Sequence, residues 1–197
     1  MVKRLFDLSL AAILLAVLSV PMGVIALFIR LDSAGPALYR QERVGRHGRV
    51  FRIHKFRTMH QRAQEDMPLT ADGDARITRA GGWLRARRLD ELPQLFDVLS
   101  GNMSFVGPRP EVPRYVAHYP DALRSIILSV RPGITDPAAL AHRHEGEMLA
   151  RAPDPEQCYV QQMLPTKLRL QADYIAQANL LTDLAVLWRT AAVVFTR

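Results

Sequence analysis

Cysteine is almost absent from this chain. The single Cys158 excludes an internal disulfide framework and fits a reducing compartment. Aromatic residues are only 7% of the total, a thin supply of the stacking rings that nucleic-acid surfaces interleave with their cations. Internal repeats and low-complexity tracts are missing too, which excludes a solenoid or a long disordered linker. The most informative absence is of charge: from Leu8 to Ile29 no ionisable side chain interrupts the sequence. Such a run can cross a hydrocarbon core, which needs roughly 20 residues.

Basic residues flank the run on both sides, Lys3 and Arg4 before it and Arg30, Arg40 and Arg43 after it. Cationic loops orient a spanning helix with that end in the cytoplasm, so two basic ends give no preferred direction of crossing. Pro21 lies a little past the middle, where it removes a backbone hydrogen bond and costs roughly 3 kcal/mol unless a kink absorbs it. Ser19 offers a hydroxyl to neighbouring backbone groups. Together these features predict a re-entrant hairpin in which residues 8–18 descend into the leaflet, Ser19-Val20-Pro21 turns, and residues 22–29 return to the same surface. A signal anchor, a secretory signal peptide and a buried core helix share parts of this composition. The poor cleavage pattern and the apolar run beyond Pro21 argue against the second.

The remaining length suits one domain, giving a division into a membrane hairpin, 1–36, and a domain, 37–197. Net charge is +7 and the pI about 10.2, which points to an anionic partner such as lipid headgroups or a phosphorylated substrate. Arg40, Arg43, Arg46, Arg49, Arg52, Lys55 and Arg57 face only Glu42 in this stretch. Its position beside the apolar run reads as a clamp on membrane lipids.

Residues 37–43 and 50–59, around Gly45-Arg46-His47-Gly48, predict a β-hairpin. Residues 60–78 read as a polar surface loop containing some helix. Apolar positions 89, 92, 95, 96 and 99 predict a helix closed by Ser100-Gly101. Residues 101–113 and 131–137 read as shaped loops, and 115–130, 138–150 and 155–179 as helices. Residues 180–195 are apolar except for Asp183 and Arg189, which suggests a surface-lying amphipathic helix. The fold class that follows is helix-rich α+β, with a helix-break-helix membrane element, a short β-hairpin and amphipathic surface helices.

The densest polar cluster is Arg87-Arg88-Leu89-Asp90-Glu91-Leu92-Pro93-Gln94. Proline is tolerated in a helix's first turn, so the helix is expected to start near Asp90, whose carboxylate the free N–H groups then keep ionised. An ionised carboxylate among arginines can attack phosphorus, and its neighbour can hold a divalent cation. An N-cap paired with a first-turn acid is the plain structural reading of the same residues. In Gly107-Pro108-Arg109-Pro110, two prolines stiffen an arginine whose guanidinium fork suits phosphate oxygens. Lys55 would add a second cation from the hairpin. Membrane or solvent contact is the plain reading for Lys55 and Arg57. His142 and His144, with Glu145 and Glu147, match no common zinc spacing and read as a solvated helix face.

These motifs resemble the bacterial sugar transferases, the monotopic phosphoglycosyl transferases. The resemblance is carried by Lys3-Arg4-Leu5-Phe6-Asp7, Arg40-Gln41-Glu42-Arg43-Val44-Gly45, Lys55-Phe56-Arg57-Thr58-Met59, Leu89-Asp90-Glu91-Leu92-Pro93-Gln94-Leu95, residues 101–110 and Arg131-Pro132-Gly133-Ile134-Thr135. It implies transfer of a sugar phosphate from a UDP-sugar to a polyprenol phosphate such as undecaprenyl phosphate, with release of UMP. It further implies that Asp90 is the nucleophile and Glu91 a Mg2+ ligand, that Lys55, Arg85 and Arg109 are active-site cations, and that the enzyme sits at the cytoplasmic face of the bacterial inner membrane. A non-catalytic basic membrane adaptor is the rival from another class, recruiting anionic lipid or nucleic acid through charge alone; the leading reading expects no nucleic-acid partner. Two departures stand out. The family's Ser-Pro break is split here by Val20, and Asp136-Pro137-Ala138-Ala139 replaces the common Gly-Trp-Ala-Gln.

Overall fold

The apolar run forms one helix, α1 (Val2–Asp32), in a computed structural model that describes residues 1–60, 69–70, 73–142 and 144–195. After it come β1 (Leu38–Val44), β2 (Val50–Phe56), α2 (Arg79–Ala86), α3 (Gln94–Leu99), β3 (Ser104–Val106), α4 (Pro113–Val116) and α5 (Asp121–Ile127). The chain continues through β4 (Gly133–Thr135), α6 (Pro137–Ala141), α7 (Glu145–Arg151), α8 (Pro155–Cys158), α9 (Leu164–Gln177) and α10 (Leu180–Phe195). One wide helical turn, Tyr159–Met163, joins α8 to α9.

The break expected at Ser19-Val20-Pro21 does not interrupt α1, which is helical throughout. Pro21 deletes a single backbone bond, and the Leu- and Ala-rich turns before it keep the ladder, which residues 22–29 continue. Ser19 Oγ donates to the Ala16 carbonyl at 2.9 Å, the local service expected of it. The helix is two-faced. Asp7, Ala11, Met22 and Ile29 are buried against the domain, while Ile13, Val17, Val20, Val24, Leu27 and Leu31 are exposed.

Both ends of α1 are fastened to the same domain. Near its start, the buried Asp7 carboxylate accepts from Ser104 Oγ at 2.8 Å and from the Phe105 N–H at 3.3 Å, and Arg4 donates to the Val98 and Leu99 carbonyls at the end of α3. At its other end, Arg57 donates to the carbonyls of Ile29, Ser33 and Ala34, and Asp32 accepts from the Ala80 N–H at 3.1 Å. Arg57 is only 1% exposed. The membrane or solvent role read for it from sequence is therefore corrected: it holds the Ile29 carbonyl in the last turn of α1 and the Ser33 and Ala34 carbonyls just beyond it.

The hairpin forms as expected, with antiparallel register from Leu38 opposite Phe56 to Val44 opposite Val50. Residues 101–113 and 131–137, read as loops, each contain a strand. Ser104 pairs with Gly133 and Val106 with Thr135 in a short parallel ladder, too brief to show a period-two pattern in sequence. Its closeness depends on glycine: a Cβ on Gly133 would lie 2.1 Å from the Gly107 nitrogen. The stretch read as one helix over 115–130 is two, because Pro120 separates α4 from α5. α10 does expose Leu181, Leu184 and Trp188 along one side. Its Asp183, however, is buried, accepting from Lys3 and from the Tyr174 hydroxyl. Of the expected loop at 60–78, residues 61–68 and 71–72 lie outside the described residues.

Three apolar cores result among the described residues. Ala11 of α1 packs with Ile53, Leu95, Val98 and Phe105; Met22 and Ile29 pack with Phe56 and Leu84; and Tyr115, Tyr159, Leu164 and Leu168 centre the helical end of the domain. Replacing Arg57 by Met should destabilise the protein by on the order of 3 kcal/mol, since three carbonyls lose a charged donor, while Arg49→Gln on the exposed hairpin tip should be near neutral. Gly133→Ala should destabilise by about 1–3 kcal/mol or more through backbone overpacking. Thermal unfolding in detergent micelles checks all three.

Candidate active site

Glu91 is buried in the turn Leu89–Glu91 that precedes α3. Burial of a carboxylate is costly without a cation, and two are supplied. Lys55 Nζ on β2 donates to Glu91 Oε1 at 3.0 Å. Arg109 engages both oxygens in a fork, Nη2 to Oε1 and Nη1 to Oε2 at 3.3 Å. Burial alone would raise the Glu91 carboxyl, but the Arg109 guanidinium and Lys55 ammonium outweigh it and hold it well below the usual carboxylate range. Glu91 in turn raises Arg109. Lys55 moves the other way, lowered by burial and by the nearby Arg109 against the pull of Glu91.

Asp90 has none of these ties. Its carboxylate forms no hydrogen bond or ion pair among the described residues, and it opens into a cavity of about 630 Å³ lined also by Arg43, Lys55, Arg85, Arg88, Glu91 and Arg109. Burial, followed by the Glu91 charge, raises the Asp90 carboxyl, while Lys55, Arg85 and Arg109 pull it back. The expectation that a helix start keeps Asp90 ionised is corrected on two counts. α3 begins at Gln94, beyond the proline, and the stabilising positive charge comes from side chains on other elements. Arg88, immediately before the turn, takes a left-handed backbone (φ 54°) that a non-glycine residue rarely adopts.

Each cation is placed by a different device. His54 pins β2 to α3: its N–H and ring Nδ1 both contact the fully buried Asp97 carboxylate at 2.8 Å, which sets Lys55 beside Glu91. Arg109 is held by the loop that follows β3, where its own N–H donates to Asp136 Oδ2 at 2.7 Å. Arg85, on α2, makes no side-chain hydrogen bond or ion pair among the described residues and reaches the cavity beside Asp90. The structure thus gathers Lys55, Arg85, Asp90, Glu91 and Arg109 around one space. Ser19 and Pro21 lie in α1 and do not line it.

Several residues here were not legible as site residues. Asp136, part of a departure from the family pattern, caps α6 through the Ala139 N–H, accepts from Gln171 at 3.0 Å and fastens Arg109. Arg43 and Glu111 approach at 3.7 Å. Glu111 accepts from the Tyr159 hydroxyl, and Lys167 donates to Glu145 Oε2 at 3.0 Å and to Tyr159 Oη at 3.2 Å. Glu145, read as part of a solvated face, lines the cavity instead. The only signals were that Arg43 lies within a quoted motif and Glu111 follows one; Tyr159 and Lys167 come from sequence that offered none.

No group of three or more His, Cys, Asp or Glu among the described residues could cage a metal ion. Magnesium bound to phosphorylated ligands needs only one or two carboxylates, with phosphate oxygens and water completing the shell. Glu91 Oε2 carries only the 3.3 Å contact to Arg109 and keeps lone-pair capacity, so this donor set fits such an ion.

Truncating Arg109 to Met should destabilise the fold by about 3–5 kcal/mol by stranding the buried Glu91 charge. Asp136→Ala should cost about 1–3 kcal/mol as buried N–H donors lose their acceptor, whereas Arg85→Met should change stability by less than about 0.5 kcal/mol. Chemical denaturation of the three variants gives the ranking.

Comparison with known proteins gives this geometry a context. The family profile for bacterial sugar transferases matches residues 1–197. The chain is 35% identical over 200 residues to the UDP-N-acetylgalactosamine-undecaprenyl-phosphate N-acetylgalactosaminephosphotransferase of Aeromonas hydrophila, covering 99% of this chain and 44% of that protein. It is 37% identical over 208 residues to the UDP-glucose:undecaprenyl-phosphate glucose-1-phosphate transferase of Caulobacter vibrioides, covering 98% and 70% respectively. Identity is 31% over 211 residues to the undecaprenyl-phosphate galactose phosphotransferase of Salmonella typhimurium, covering 99% and 40%. The chain therefore spans less than half of two of these three relatives. With the profile matched end to end, this chain belongs to the bacterial sugar transferase family.

Proposed function

We propose that this chain transfers a sugar phosphate from a UDP-sugar to undecaprenyl phosphate or a similar polyprenol phosphate, with Asp90 as the nucleophile. The observation that carries this reading is the unequal fate of two adjacent carboxylates: Glu91 is held by ion pairs with Lys55 and Arg109, while Asp90 faces the cavity unpaired, beside Arg85. A partly desolvated carboxylate that keeps its charge only through neighbouring cations is a stronger nucleophile than one in water.

In the first step an Asp90 oxygen forms a bond to the phosphorus that bears the sugar. The bond from that phosphorus to the bridging oxygen breaks, and UMP leaves with the electron pair. In the second, a phosphate oxygen of the polyprenol attacks the same phosphorus, and the aspartyl P–O bond breaks to restore the carboxylate. Lys55, Arg85 and Arg109 offset the negative charge that gathers around phosphorus. Mg2+ supplies further neutralisation of the diphosphate, and Glu91 is the residue that would hold it. The relatives are named for transfer of a sugar phosphate to undecaprenyl phosphate, two of them from a UDP-sugar, which supports this substrate pair. A basic lipid-binding adaptor would need neither adjacent carboxylates nor a cavity.

The acceptor is a lipid, and α1 is the one helix among the described residues long and apolar enough to cross a membrane. Support for entry from one side comes from its packing, with both ends on the same domain and its apolar outer face uncovered. We assign the domain to the cytoplasmic face of the inner membrane, where nucleotide sugars are made available. Residues 1–36 then serve as the membrane element and 37–197 as the catalytic domain.

Asp90→Asn should abolish UMP release, by at least about a thousandfold, without loss of membrane association; Arg85→Met should lower kcat/KM about tenfold to a hundredfold while the protein remains stable. Luminescent detection of UMP from a UDP-sugar with undecaprenyl phosphate and Mg2+ reads both, and substantial turnover by Asp90→Asn would refute the nucleophile. A protease-sensitive tag ahead of α1 should stay protected in intact spheroplasts. Cleavage from the periplasmic side would show a crossing helix.

A further inference from the structure

The cavity has a second wall, opposite in character to the cationic one. Where Lys55, Arg85, Arg88 and Arg109 surround Asp90, the helical end of the same cavity presents Glu111, Tyr115, Glu145, Tyr159 and Lys167. Carboxylates there would repel a diphosphate, so this wall suits a neutral, hydroxylated portion of a ligand. A space of about 630 Å³ also exceeds what a diphosphate needs.

One side chain on this wall lacks the partner it requires. Tyr115 is 2% exposed, and its hydroxyl has no hydrogen-bond partner among the described residues. Buried hydroxyls in folded proteins are nearly always paired. Its ring lies 4.9 Å from that of Tyr159, whose own hydroxyl donates to Glu111 and accepts from Lys167. Lys167 is buried at 4% exposure and donates to both oxygens of Glu145, at 3.0 and 3.3 Å. Glu145 is the more open member, with lone pairs to spare on the cavity side. Lys167 and Tyr159 spend their protons on Glu145, Tyr159 and Glu111 and so fix the wall in place, leaving the Glu145 lone pairs as acceptor and the Tyr115 hydroxyl as donor for neighbouring hydroxyls, each of which both donates and accepts.

We infer that Tyr115 and Glu145, held in place by Tyr159 and Lys167, form a subsite that binds adjacent hydroxyl groups on a sugar ring of the nucleotide donor. This rests on the UDP-sugar reading above. The ring is either the transferred sugar or the ribose, and both present neighbouring hydroxyls.

Tyr115→Phe removes a hydroxyl that holds nothing within the protein, so folding and Tm should not change. Glu145→Gln keeps size and one acceptor. Full-length wild type and both variants are assayed in detergent micelles with UDP-glucose, UDP-galactose and their N-acetylamino counterparts, and UDP binding is measured separately. For a UDP-sugar that the wild type uses, KM should rise about tenfold in each variant, the worth of one good hydrogen bond in a buried site, with kcat little changed. If the ring is the transferred sugar, discrimination between glucose and galactose forms falls and UDP affinity is unaltered; if it is ribose, UDP affinity falls by the same factor as KM rises. Variants with wild-type KM, epimer preference and UDP affinity at unchanged Tm would overturn the subsite. Failure of the wild type to release UMP from any UDP-sugar would instead refute the donor reading, and the subsite with it.

Discussion

The ion pairing of Glu91 organises this site. A buried carboxylate must be matched by charge, and the two groups that match it arrive from distant parts of the chain: Lys55 from the hairpin and Arg109 from the loop after β3. Three separate pieces of backbone are thereby fixed around one point. The same arrangement leaves Asp90, one residue earlier and turned away, in the field of those cations without being neutralised by any of them. Buried ion pairs contribute little net stability. Their value here is positional, because they hold charge in a fixed arrangement before a phosphorylated ligand arrives.

Outer contacts support that arrangement. Asp97 locks the hairpin through His54, and Asp136 locks the Arg109 backbone while also reaching α9 through Gln171. α1 is part of the same construction. Asp7 is tied to β3, and Arg57, two residues beyond Lys55, caps its far end. The helix with the apolar outer face and the cavity with the charged interior share structural members, which suits the proposed transfer from a soluble donor to a lipid acceptor.

The sequence made some of this legible and hid the rest for physical reasons. The charge-free run, the alternating hairpin and the Asp90-Glu91 pair are local patterns, and local patterns survive without tertiary knowledge. The β3–β4 ladder was hidden because three-residue strands have no measurable period and their closeness depends on two glycines meeting across the fold. Arg57 looked like one more cation in a basic stretch, yet it is buried, because only its contact with the end of α1 distinguishes it from exposed neighbours such as Arg49. Asp183 looked like part of the exposed face of its helix until Lys3, far away in sequence, supplied its partner. Pro21 suggested a break, but one missing hydrogen bond does not end a helix whose ladder is intact on both sides. The acid and tyrosine wall at Glu111, Glu145 and Tyr159 is assembled wholly by tertiary packing.

The central claim is that Asp90, left unpaired because Glu91 absorbs the cations, bonds covalently to phosphorus. Incubating the protein with a UDP-sugar in the absence of any polyprenol acceptor, followed by peptide mass spectrometry, tests it most directly. The account predicts a sugar-phosphate adduct on Asp90 that disappears when undecaprenyl phosphate is added. An adduct on Glu91, or unmodified protein under conditions where adding acceptor brings immediate UMP release, would contradict it.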